Sequence, residues 1–120
     1  MKKYYIGDLC RLFADNEWKI FLDQTDFLDQ ISVSSGGSGE YKGYTFHFGS
    51  TAFGDGSFKD NLGREYGVDS GTIGIVSADF PATSDAWKTG GQIVELEDDF
   101  TIYIGGGIFQ FGDVEINTQE

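Results

Sequence analysis

The segment QIVELEDDFTIYIGGGIFQFGDVEIN, residues 92–117, decides the fold class. Val94 and Leu96, then Ile102 and Ile104, then Val114 and Ile116 occupy every second position, the period of a strand with one buried face. Between these runs stand Glu97-Asp98-Asp99, Gly105-Gly106-Gly107 and Gly112-Asp113, residues that favour tight turns. The spacing therefore predicts four short strands, at 92–97, 100–104, 108–111 and 114–117, arranged as a meander.

Upstream, the same period returns. Tyr44, Phe46 and Phe48 alternate with Thr45 and His47, which predicts another strand. The stretch Lys59-Asp60-Asn61-Leu62-Gly63-Arg64 has hairpin chemistry, and strands are expected at 65–68 and 72–77. Residues 3–13 read as a first strand with Cys10 in its middle. Only residues 18–31 break to a helical period: Trp18, Phe21, Leu22, Leu28 and Ile31 share one face, opposite Lys19, Asp23, Asp26 and Gln30. Residues 32–39 read as a flexible loop, and 78–91, containing Pro81, as the longest irregular connection. The expected architecture is mainly β (α+β): a small antiparallel β-sandwich or barrel of about eight strands, with one N-terminal helix packed against it. All 120 residues form one domain on this reading, since neither side of the polar loop is long enough for a separate core.

Composition narrows the function classes. Twenty Asp and Glu against eight Lys and Arg give a net charge of −12, while aromatics reach 16%. A disordered acidic chain would lack those aromatics. The charge opposes direct contact with nucleic-acid phosphates or anionic lipid. No apolar run has the ~20 residues of a membrane-spanning helix, and the first residues do not read as a signal peptide. One cysteine excludes an intrachain disulfide and a cysteine-rich zinc site, and a reducing, cytoplasmic setting is expected.

No motif with catalytic or ligand-binding meaning is complete in this sequence. Gly36-Gly37-Ser38-Gly39 and Gly105-Gly106-Gly107 lack the Lys-Ser/Thr ending of a phosphate loop and open no helix. In a calcium-loop frame starting at Asp55, the first, third, fifth, sixth and twelfth positions hold Asp55, Ser57, Lys59, Asp60 and Tyr66 where side-chain oxygens, a sixth-position Gly and a twelfth-position Glu are required, so the pattern is broken at three of five. An irregular divalent-metal site from Asp55, Asp60, Glu65 and Asp69 is the alternative left by that test. His47, the only histidine, lies on the opposite strand face from Phe46 and Phe48, with no nucleophile and acid assigned to it. Cys10 is read as a small buried hydrophobe rather than a thiolate.

The charge distribution remains. Beyond Lys88 come seven acids, Glu95, Glu97, Asp98, Asp99, Asp113, Glu115 and Glu120, and no base. Glu95, Glu97 and Glu115 are expected on outer strand faces, and Asp23 and Asp26 on the outer helix face. A surface so one-sided exceeds what solubility needs and attracts cationic partners.

Four motifs carry a resemblance: Tyr4-Tyr5-Ile6-Gly7-Asp8, Thr51-Ala52-Phe53-Gly54-Asp55-Gly56, Glu65-Tyr66-Gly67-Val68-Asp69-Ser70-Gly71-Thr72-Ile73-Gly74 and Phe109-Gln110-Phe111-Gly112-Asp113-Val114-Glu115-Ile116-Asn117-Thr118. The chain resembles a group of small acidic, uncharacterised proteins of bacteria and tailed phages. That resemblance implies no reaction, no cofactor and no catalytic residue.

The resulting expectation is a non-enzymatic acidic protein that docks a contiguous carboxylate-rich face on a basic protein partner, as an immunity protein or a phage anti-defence inhibitor does. Asp23, Asp26, Glu95, Glu97, Asp98, Asp99 and Glu115 are the expected contacts, with Tyr103 as an aromatic anchor. The alternative is a carboxylate-based metal-binding module or hydrolase centred on Asp55 and Asp69.

Overall fold

The computed structural model describes residues 1–33 and 35–119. It is mainly β, with ten antiparallel strands: β1 (Lys2–Gly7), β2 (Gly37–Tyr41), β3 (Tyr44–Ser50), β4 (Gly56–Lys59), β5 (Glu65–Val68), β6 (Thr72–Ser77), β7 (Gln92–Leu96), β8 (Ile102–Gly105), β9 (Ile108–Phe111) and β10 (Val114–Asn117). Five of them form one sheet in the order β2-β3-β6-β1-β7, β8 to β10 form a meander in the order β10-β9-β8, and β4 pairs with β5.

The five-stranded sheet separates two cores because its side chains alternate. On one face Tyr5, Phe46, Phe48 and Val76 meet Phe13, Phe21, Phe27 and Phe80 from the helical layer and loops. On the other, Ile6, Ile73, Ile75, Val94 and Leu96 meet Tyr66 and Val68 of β5 and Ile104, Phe109, Phe111 and Ile116 of the meander. The second core is enclosed almost as in a barrel. Gly67 N–H donates to Gly90 O beside the start of β7, and an isolated bridge joins Asp60 to Ile116 of β10.

The sequence-based picture needs four corrections. The expected first strand ends at Gly7, and Leu9–Leu12 form a 3₁₀ turn. Asp8 ends the strand because its carboxylate accepts the Cys10 N–H, and the tighter turn buries both Leu9 and Leu12. Cys10 is consequently half-buried rather than a core residue.

The expected single helix is two, α1 (Asp15–Gln24) and α2 (Phe27–Gln30), broken at Asp26, whose φ is 51°. Phe21 and Phe27 are six residues apart, which in an unbroken helix would set them about 120° apart around the axis. The break brings both rings into one core, with centroids 5.8 Å apart.

The expected loop at 32–39 contains the start of β2. Its glycines serve close approach rather than flexibility: a Cβ on Gly37 would lie 2.6 Å from Gln30 Cβ, and one on Gly39 would lie 2.9 Å from Thr25 Cβ. β2 and β4 are the two strands beyond the expected eight. Finally, β7 does not begin the meander. It pairs with β1, in the register Lys2↔Leu96 to Ile6↔Gln92.

Candidate functional site

The expected contact residues fall into three groups. Glu95, Glu97 and Asp99 line one groove of about 400 Å³ with Asp113, its floor made by Leu96 and Phe100. Asp98 stands beside it, exposed, with the Met1 amino group 3.7 Å from its carboxylate. This group forms because β7 ends at Leu96 and the turn that follows meets the β9–β10 turn, where Gly112 N–H donates to Thr101 O at 2.9 Å. Lys3 and Lys2 of β1 stand opposite Glu95 and Leu96 in register.

Tyr103 and Glu115 are elsewhere. Both are exposed and sit in one row across the meander, each opposite Gln110 of β9. Asp23 and Asp26 lie on the helical layer, where with Asp29 they surround Leu28. The helical layer and the meander cover opposite faces of the five-stranded sheet. The expectation of one contiguous face made by all these residues is therefore not met, and only the β7 group converges.

The carboxylates of the metal alternative do not converge either. Asp60 has its side chain fully buried and both oxygens occupied. Oδ1 accepts the N–H groups of Leu62 and Arg64, and Oδ2 accepts Arg64 Nε at 2.7 Å and the Tyr66 hydroxyl at 2.8 Å. Burial acts to raise its pKa, but these donors outweigh it and hold the carboxyl below the usual range. Glu65 lies 3.8 Å from Lys59. Asp55 and Asp69 lie just past the Gly56↔Val68 end of the β4–β5 pair, and the Asp69 carboxylate accepts from Arg11 Nη2 at 2.8 Å. Among the described residues, no group of three or more His, Cys, Asp and Glu side chains is placed to hold a metal ion.

His47 lines a cavity with Tyr4, Ile75, Phe100 and Ile102, and burial lowers its pKa. It makes no side-chain hydrogen bond among the described residues. Cys10 is pushed up to about 12 by burial and by its hydrogen bond to Asp8, so the thiol is protonated at neutral pH.

The motif residues turn out to be clasps between loops. Asp8 is fully buried; its Oδ2 accepts the N–H groups of Asp69 at 2.6 Å and Ser70 at 2.7 Å, and its Oδ1 accepts the Ser70 hydroxyl at 2.7 Å. The first motif is thereby tied to the third. Thr118 likewise ties the last motif to the second, accepting the Ala52 N–H at 2.9 Å and donating to Gly107 O.

Sheet edges supply the feature that sequence reasoning missed. At the β2 edge, the Gln30 carboxamide receives the Ser38 N–H at 2.9 Å and donates to Ser38 O at 2.9 Å. At the β10 edge, Asn61 closes Glu115 with side chain and main chain together: its Oδ1 accepts the Glu115 N–H and its main-chain N–H donates to Glu115 O, both at 2.9 Å. Such side chains occupy the backbone groups that a foreign strand would use. The β7 edge has no equivalent. Gln92 Nε2 reaches Glu65 O at its start, but among the described residues nothing pairs with the outer side of 93–96.

Beside this open edge, Ile93 is exposed at 42% and borders a cleft of about 250 Å³ walled by Tyr5, Phe80 and Trp87, with Asp85 and Lys88 at its mouth. Trp87 meets Tyr5 edge-on at 6.3 Å, and Lys88 lies over its ring. Nothing in a sequence distinguishes an edge-capping Gln30 or Asn61 from an ordinary surface amide, because pairing order is a tertiary property. No helix among the described residues is long and apolar enough to cross a membrane. Comparison with protein-family models, with curated proteins and with solved structures found no match to this chain.

Proposed function

We propose that this chain is a non-enzymatic, cytoplasmic binding protein whose carboxylate groove docks on a basic protein surface. The observation that carries the reading is the convergence of Glu95, Glu97, Asp99 and Asp113 on one groove, where the Met1 amino group beside Asp98 is the one positive charge among the lining residues. An anionic concavity with low-dielectric walls focuses its field outward and accelerates encounter with cations. Phe100 and Leu96 in the same groove offer apolar contact once the charges have met. Nucleic acid is repelled directly, so a basic protein that itself binds nucleic acid is the natural target class, as for an immunity protein or a phage anti-defence inhibitor. The resemblance to small acidic bacterial and phage proteins agrees with that setting.

The test uses poly-L-lysine as a cationic probe and measures its association rate. Raising salt from about 0.1 M to about 1 M shortens the screening length from roughly 10 Å to roughly 3 Å, and the rate is expected to fall at least about tenfold. Replacing Glu95, Glu97 and Asp99 by the corresponding amides lowers the rate at low salt, whereas Asp23→Asn with Asp26→Asn changes it far less. A rate indifferent to salt, or equally sensitive to both sets, refutes the reading.

A further inference from the structure

We propose that β7 is itself the docking element: an extended, basic segment of the partner adds to its open edge as a sixth strand of the five-stranded sheet. This rests on the reading above that the partner is basic, and it specifies how that partner is held.

Three observations lead there. First, Gln30 closes the β2 edge at Ser38 and Asn61 closes the β10 edge at Glu115, while among the described residues no side chain closes the outer side of 93–96 of β7. The other edges are not equivalent: on β8, Ile104 packs its side chain onto Gly36 and Gly49 and the edge faces β3, β4 leads through Asp60 into a bridge with Ile116 of β10, and β5 is met by Gly90 and Gln92 at Gly67 and Glu65. Second, the side chains of β7 that flank the free edge alternate in the usual way. Ile93 borders the Trp87 cleft, and Glu95 lies two residues further along the same face, paired in register with Lys3. Third, the strand runs directly into the acidic groove at Glu97 and Asp99.

A sixth strand laid antiparallel would therefore place an apolar or aromatic side chain next to Ile93, in the cleft. Two residues earlier in its own sequence, a Lys or Arg would face Glu95, and two before that a second cation would face Glu97. Main-chain hydrogen bonds supply the hold and the alternate side chains supply the choice. A second copy of this chain is the competing occupant. Paired antiparallel and centred on this stretch of β7, it would set Glu95 against Glu95, in molecules that each carry −12. Like-charge apposition across a paired edge opposes that assembly.

The experiment is an NMR titration of the labelled protein with the capped peptide Thr-Lys-Thr-Lys-Thr-Phe-Thr. Two analogues are run beside it, N-methylated at alternate residues in the two frames. The expected result is slowed amide exchange and cross-strand contacts at 93–96. One methylated frame should lose at least tenfold in affinity, and the other should bind as the parent does. Ile93→Lys, at an exposed position, should leave urea stability unchanged and weaken the peptide at least tenfold.

The inference is overturned if the contacts map away from β7, if both frames bind as the parent does, or if both lose affinity equally. It is also overturned if the free protein sediments as a dimer that Ile93→Lys dissociates. Salt-dependent poly-L-lysine binding together with any of these results removes strand addition and leaves the acidic docking reading standing. Loss of the salt dependence removes both.

Discussion

Asp8→Asn isolates what the buried carboxylate does, because the carboxamide has the same shape and differs only in charge and in one acceptor. Asp8 accepts four donors: the N–H groups of Cys10, Asp69 and Ser70, and the Ser70 hydroxyl. Placing the new NH₂ at Oδ2 turns it against two backbone N–H groups. Placing it at Oδ1 turns it against one, together with a hydroxyl that can rotate to accept. A donor left unsatisfied in a buried site costs about 1–3 kcal/mol, and hydrogen bonds to a charged group contribute about 1.5–3 kcal/mol each. The less costly orientation, one stranded N–H and weakened remaining bonds, therefore costs about 2–3 kcal/mol, a large share of the roughly 5–15 kcal/mol by which small domains are stable. Urea unfolding followed by tryptophan fluorescence measures it, with Asp69→Asn as the control. That carboxylate is mostly exposed in its ion pair with Arg11, and its loss should cost under about 1 kcal/mol. A penalty for Asp8→Asn no larger than the control would refute the clasp.

Two further outcomes follow from Asp60 and Cys10. Asp60 has a lowered folded-state pKa, so its contribution is complete above the unfolded value, about pH 4, and disappears as pH falls through the folded one. The stability gap between the wild type and Asp60→Asn should thus narrow as pH falls below about 4, and a gap constant with pH contradicts the assignment. At Cys10, a pKa near 12 leaves about a thousandth of the thiolate of an ordinary cysteine at pH 8. Iodoacetamide should label the folded protein orders of magnitude more slowly than the urea-unfolded chain; comparable rates would show that the thiol is ionised.

The strands that alternate cleanly were readable from composition and period: Tyr44, Phe46 and Phe48, or Val114 and Ile116, each bury one face. What failed did so for tertiary reasons. The helix break at Asp26 is imposed by two phenylalanines entering the same core, and local propensity carries no record of that demand. The glycines at 37 and 39 read as loop because the close approach of Gln30 and Thr25 is invisible in one dimension. Strand order was also out of reach: β7 and β8 are successive and both alternate, yet β7 belongs to the sheet of β1. The charge count foresaw the acids of the groove, but only folding separates Glu95, Glu97 and Asp99 from Asp23 and Asp26.

That separation bears on why the chain is so acidic. Solubility alone needs net charge and is indifferent to where it lies, whereas an open sheet edge needs protection at a particular place. The usual devices are a covering element, a capping side chain or a charge. This protein uses capping amides at β2 and β10 and leaves β7 to Glu95 and the carboxylates that follow it. Capping excludes every strand alike. Charge excludes selectively: a second copy or another acidic chain is repelled, and a strand bearing Lys or Arg is drawn in. On the proposed function, the acidity and the unpaired edge are parts of one arrangement. Capping the β7 edge with an amide would remove the docking strand, and neutralising its acids would expose that edge to self-pairing.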